Sequence, residues 1–136
     1  YLWRIRIIRA TQQKFTCSVV AVITNKEEKI LLLDHFLRPG TNWALPGGFL
    51  EAFEPPENGL KRELLEETTL ELKNIELLQV RTINRHIEIL FRAEAEGEPR
   101  PNSPEITDAG WFSFDEMPKE VSSVQRQLIK FALFPK

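Results

Sequence analysis

The chain has 136 residues, 42% hydrophobic and 28% charged, with a formal net charge of −2 at pH 7. That length supports one compact domain with its own core, so residues 1–136 read as a single domain, and the slightly acidic balance excludes a general binder of duplex nucleic acid. No apolar run approaches the roughly 20 residues needed to span a bilayer, and no signal peptide is recognisable, so a cytoplasmic location without a membrane partner is expected.

The chain begins at Tyr1, not Met, which leaves room for a native N-terminus upstream. Trp3-Arg4-Ile5-Arg6-Ile7 alternates apolar and basic residues and predicts a half-buried strand. Phe15 to Thr24 is rich in β-branched residues and predicts a second strand, with Cys17 inside it as a buried reduced thiol. Asn25 to Lys29 is a polar turn and Ile30 to Leu33 a buried strand, which together make a hairpin. Arg38 to Asn42 is a loop by composition. Trp43 to Leu45 is short and apolar, and at Pro46-Gly47-Gly48 the backbone must turn or approach something closely. Pro55-Pro56 suits a helix start, with the helix running to about Thr68. Ile75 to Ile83 and Ile87 to Ala95 read as strands, Gly97 to Pro104 as a loop, and Trp111 to Phe114 as a short strand. Ser122 or Ser123 caps a last helix with Val124, Leu128, Phe131 and Ala132 on one apolar face. Strands and helices are interspersed with few strand-helix-strand alternations, which favours a mixed sheet flanked by helices, an α/β (α+β) fold.

The helix after Pro56 carries the distinctive chemistry. Residues three and four apart share a face, so Glu63, Glu66 and Glu67 lie together, beside Leu60 and Leu64. Glu66 and Glu67 fall in the last turn, where the helix dipole disfavours each by about 0.3–1 kcal/mol. Arg62 can offset part of this by pairing with Glu66 one turn on. A hard divalent cation such as Mg²⁺ or Mn²⁺ would relieve the rest.

The run from Gly48 to Leu70 resembles the Nudix box: a glycine, five residues, a glutamate, seven residues, then Arg-Glu, an aliphatic residue, any residue, Glu-Glu, any residue, Gly and an aliphatic residue. Gly48, Glu54, Arg62, Glu63, Leu64, Glu66, Glu67 and Leu70 fall in register. Trp111-Phe112 followed by Asp115-Glu116-Met117-Pro118 is similar to the family's usual ending. Two positions depart. Thr69 stands where the family has glycine, so either the helix exit differs or Thr69 is strained by about 1–2 kcal/mol. Phe53 stands where a small glycine is common.

The resemblance implies a Nudix-like α/β/α sandwich and a metal-dependent hydrolase that cleaves the diphosphate linkage of a nucleoside diphosphate derivative. It implies Mg²⁺, with Mn²⁺ as a substitute, on Glu63, Glu66, Glu67 and the Gly47 carbonyl, with Glu54 supporting the loop or the metal. Arg62 would orient Glu63 or Glu66. The general base is either a box glutamate or a later loop acid, Glu105 before Asp108. Arg38, Trp43, Phe49 and Arg81 are the substrate-binding candidates. The expected partner is a small nucleotide-like diphosphate, with a homodimer as a further expectation. The alternative is a Nudix-like module that senses a nucleotide or ADP-ribose without cleaving it.

Overall fold

The computed structural model describes residues 1–36 and 43–135. Arg38 and the expected loop 38–42 lie outside the described residues. In chain order the elements are α1 (Leu2–Thr11), β1 (Thr16–Thr24), β2 (Ile30–His35), β3 (Trp43–Ala44), β4 (Gly47–Phe49), α2 (Pro56–Thr68), β5 (Lys73–Ile83), β6 (His86–Glu94), β7 (Ile106–Phe112) and α3 (Ser123–Leu133).

The strands form one mixed sheet in the order β3-β2-β1-β6-β5, with β4 paired to β1 and β7 to β2. The β1–β6 pair is parallel, with Thr16 opposite His86 and Ser18 opposite Glu88. The other pairs are antiparallel. Side chains alternate across a strand, and the core divides accordingly. Val19, Ala21 and Ile23 of β1 pack with Leu60 and Leu64 of α2. Val20 and Val22 pack on the other face with Leu128, Ile129 and Ala132 of α3. Burial on both faces explains why β1 and β2 read as near-continuous apolar runs. Each fully buried aliphatic side chain contributes on the order of 1.5–3 kcal/mol.

Three expectations need correction. The alternating run at residues 3–7 is not a strand: Leu2–Thr11 is helical and buries no residue. Five alternating residues cannot hold a strand that has no neighbour to pair with. The segment lacks Gly and Pro and satisfies its backbone hydrogen bonds internally. In α3, Ser122 is the N-cap, its hydroxyl accepting from the Gln125 N–H at 3.2 Å. The buried face is Leu128, Ile129 and Ala132, while Val124 and Phe131 are about half exposed, so the helix is rotated from the expected face. Finally, β7 runs Ile106–Phe112, where a strand was expected only at Trp111 to Phe114. Its register is set by β2, from Ile30 opposite Phe112 to His35 opposite Ile106.

The helix exit resolves as the strained alternative. Thr69 takes a left-handed conformation at φ 65° and ψ 6°, and its N–H donates to Leu65 O. Phe53 is also left-handed, at φ 63°, and its side chain is fully exposed.

Candidate active site

Helix α2 presents its acids at graded depth. Glu67 is buried at 7% exposure. Glu63 is largely covered, and Glu66 is open to solvent. The diglycine strand explains the depth of Glu63. In the β1–β4 register Gly48 lies opposite Val19 and Gly47 opposite Val20, so Gly48 faces α2 and Gly47 faces the α3 side. A Cβ on Gly48 would collide with the Glu63 carboxylate, and one on Gly47 would collide with the Val19 carbonyl. Only glycine lets the carboxylate and the backbone approach this closely. Gly59 does the same one turn earlier, where a Cβ would meet Leu50 and Glu54.

Arg62 ties the acids and the loop together. Its Nε donates to Glu54 Oε2 at 2.6 Å and its Nη2 to Glu54 Oε1 at 3.0 Å. Its Nη1 donates to Glu63 at 3.1 Å and to Glu66 at 3.3 Å, and Nη2 reaches the Phe49 carbonyl at 3.3 Å. Glu54 also accepts from the Glu51 N–H at 3.1 Å. Both oxygens of Glu54 are thus engaged, which makes it a brace of the loop. Those bonds hold its carboxyl below the usual range, the Arg62 bond foremost, and the same bond raises the Arg62 guanidinium further. Glu63 goes the other way: burial pushes its carboxyl up, Arg62 pulls it back, and the charges of Glu66 and Glu105 add to the rise.

The loop 97–104 brings Glu105 here. Arg100 N–H donates to Thr68 O and Asn102 N–H to Glu67 O, each at 3.0 Å, so the loop satisfies carbonyls that the end of α2 leaves open. Trp111 Nε1 anchors the loop's start by donating to Gly97 O at 2.7 Å. Asp108 lies on β7 opposite Asp34. Among the described residues, no three acids, imidazoles or thiols stand close enough together to hold an ion without side-chain movement.

A cleft of about 260 Å³ adjoins the diglycine on the α3 side, lined by Ser18, Gly47, Gly48, Phe49, His86, Glu88 and others. Of the expected substrate residues, Phe49 lines it and Arg81 flanks it, donating to Glu88 at 2.7 Å. Trp43 does not: its ring packs edge-on against Phe112 with centroids 5.1 Å apart. A larger groove of about 620 Å³ lies at the far end of β1, around Lys26, Lys73, Arg92 and Phe134, and includes none of the α2 acids. Ser18, His86 and Glu88 also line the cleft and are not among the residues expected from sequence. Their only sequence signal is polar residues at alternate positions of otherwise apolar strands.

This chain belongs to the NUDIX domain family, whose model matches residues 14–131. It is 33% identical over 119 residues to the NAD-capped RNA hydrolase NudC of Pectobacterium carotovorum, covering 84% of this chain and 45% of that protein. The chain thus spans less than half the length of the NudC proteins it matches. It is 31% identical over 109 residues to a MutT-like protein of Streptomyces ambofaciens, covering 79% of this chain and 70% of that one. Among solved structures, it matches the MutT NUDIX hydrolase of Burkholderia pseudomallei with TM-score 0.74 and 28% identity, covering 86% of this chain and 97% of that one. The fold also matches the NUDIX domain of Shewanella oneidensis NrtR, solved with ADP-ribose, with TM-score 0.75 and 23% identity, covering 90% of this chain and 88% of that one. Among the described residues no helix is long and apolar enough to cross a membrane.

Proposed function

We propose that this chain hydrolyses the diphosphate linkage of a nucleoside diphosphate joined to a second group, using Mg²⁺ or Mn²⁺ held by Glu63, Glu66, Glu67 and the Gly47 carbonyl. The observation that carries the reading is the Glu63 carboxylate set against Gly48, where any Cβ would displace it. Burial there raises the cost of its charge, and a cation offsets that cost. The donor set is all oxygen and largely anionic, which suits a hard divalent ion.

A bound Mg²⁺ would neutralise the diphosphate oxygens and ease ionisation of the attacking water. The protein's own part is positioning and electrostatics. Arg62 orients Glu63 and Glu66 while Glu54 braces Arg62. Glu66, which accepts a hydrogen bond from Arg62, is the most exposed of the three acids. Glu105 acts as general base. Its charge acts on Glu63, which supports a place beside the reacting phosphate. The organic half of the substrate occupies the cleft against Phe49. The names of the relatives support a nucleotide: NAD-capped RNA for NudC and ADP-ribose for the NrtR domain.

Glu66→Gln and Glu67→Gln, each assayed with Mg²⁺ on a panel of nucleoside diphosphate derivatives, test the assignment. Each is expected to lose at least about 100-fold in turnover. Full activity in both would overturn it.

A further inference from the structure

A hydrogen-bond relay that the proposed hydrolysis does not use runs from the surface into the cleft. Because β1 and β6 are parallel and in register, Thr16, Ser18, His86 and Glu88 project on one face. His86 sits between two hydroxyls: Thr16 Oγ1 is 2.6 Å from Nδ1 and Ser18 Oγ is 2.7 Å from Nε2. Its ring meets Phe49 edge-on, with centroids 5.8 Å apart. Thr16 is exposed, and Ser18 is partly buried in the cleft wall.

A neutral imidazole carries one N–H and one lone pair. One hydroxyl must therefore donate to the ring while the other accepts from it. With the proton on Nε2, Ser18 Oγ accepts from the ring, and its own O–H points onward as a donor. With the proton on Nδ1, the Ser18 O–H is committed to Nε2, and its oxygen can only accept from a ligand. At the other end Thr16 is exposed, so water completes whichever role it is left with. Changing tautomer thus leaves no buried group unsatisfied.

We propose that Ser18 is the ligand-reading hydroxyl of this cleft and that His86 is its positioning residue. The His86 tautomer makes Ser18 a donor or an acceptor, so the cleft takes nucleobases with either an amino or a keto edge. This rests on the reading that the organic half of the substrate lies in the cleft. The lining favours a neutral planar heterocycle over a phosphate. Glu88 contributes an anion to the wall, and Arg81, the flanking cation, is already bonded to it at 2.7 Å. Phe49, 65% exposed, offers a ring against which a base can pack. A site built around one fixed donor rejects the mismatched edge strongly, because a buried polar group is left unpaired; this relay avoids that mismatch.

Calorimetry with ADP-ribose, its hypoxanthine counterpart and base-free 5-phosphoribosyl diphosphate tests the idea, with thermal melts confirming that each variant is folded. The wild type is expected to bind the two base-bearing ligands within about threefold of each other. Ser18→Ala is expected to weaken both about tenfold and leave the base-free ligand unchanged. His86→Phe, which retains a ring beside Phe49, is expected to cost about threefold alone and nothing further in the Ser18→Ala background, since it acts through Ser18. Unchanged affinities in Ser18→Ala, additive effects in the double variant, or a wild-type preference above about thirtyfold for one base would overturn the relay. Wild-type binding of the base-free ligand but of neither base-bearing one would instead overturn the placement of the organic half, and the relay with it.

Discussion

The two faces of the sheet around β4 differ in the kind of chemistry they hold. On the α2 face, Arg62 binds Glu54, Glu63 and Glu66 through a charged, partly buried network. On the α3 face, a few ångströms of glycine backbone away, the wall is Ser18, His86 and Phe49, with Arg81 and Glu88 neutralising each other. The acid-rich side would suit a diphosphate only through a bound cation, and the hydrogen-bonding groups on the other side suit an organic moiety. Gly47 and Gly48 keep the partition thin, because a side chain at either would collide with what it faces.

The largest expected contrast between the faces is in turnover. Glu67→Gln is expected to lower kcat about 100-fold or more, whereas Ser18→Ala is expected to act through KM, raising it about tenfold; steady-state kinetics on one nucleotide substrate compares them directly. Next comes stability. Arg62→Ala strands Glu54 and Glu63 and is expected to cost about 2 kcal/mol, read from urea unfolding. Ser18→Ala is expected to cost less than half of that. Equal costs would mean that the charged network is no more than a surface decoration.

A finer test uses pH. The Glu63 carboxyl is raised in the folded chain, so just above pH 4.5, the ordinary value, the folded state holds the proton more tightly than the unfolded one. Its contribution to stability therefore falls as pH rises through that window. Glu54, whose carboxyl is lowered, has the opposite sign: its contribution is present above that value and is lost as pH falls. In EDTA, Glu63→Gln is expected to flatten the loss above pH 4.5. With millimolar Mg²⁺ at neutral pH, the wild type is expected to melt at a higher temperature and Glu63→Gln to gain much less. An equal Mg²⁺ shift in both proteins would remove Glu63 from the ligand set. The smallest effect is expected at the helix exit. Thr69→Gly relieves a left-handed β-branched residue and is expected to add about 1 kcal/mol, or roughly 2–4 °C in Tm.

Much of the α2 face was legible in sequence, because its geometry is local. Helix spacing alone places Glu63, Glu66 and Glu67 on neighbouring positions of one helix, and a short loop joins Gly48 to that helix. What spacing did not give was their depth, or that Glu54 spends both oxygens on Arg62 and the loop. The N-terminal segment differs from its expectation because alternation signals a strand only where a neighbour can pair with it, and among the described residues none pairs with residues 2–11. The α3 face was nearly illegible. Ser18 and His86 are 68 residues apart, and a lone serine in an apolar strand carries no motif.

The sequence by itself determined the family resemblance, through the motif from Gly48 to Leu70, and the helix that carries the acids and the apolar strands β1 and β2, since each is a local pattern. Tertiary structure decided which acids are deep, that loop 97–104 closes the end of α2 beside Glu63, and that a parallel pairing of β1 with β6 sets an imidazole between two hydroxyls. Those outcomes depend on contacts between segments distant in sequence, and they form only when the hydrophobic layers pack.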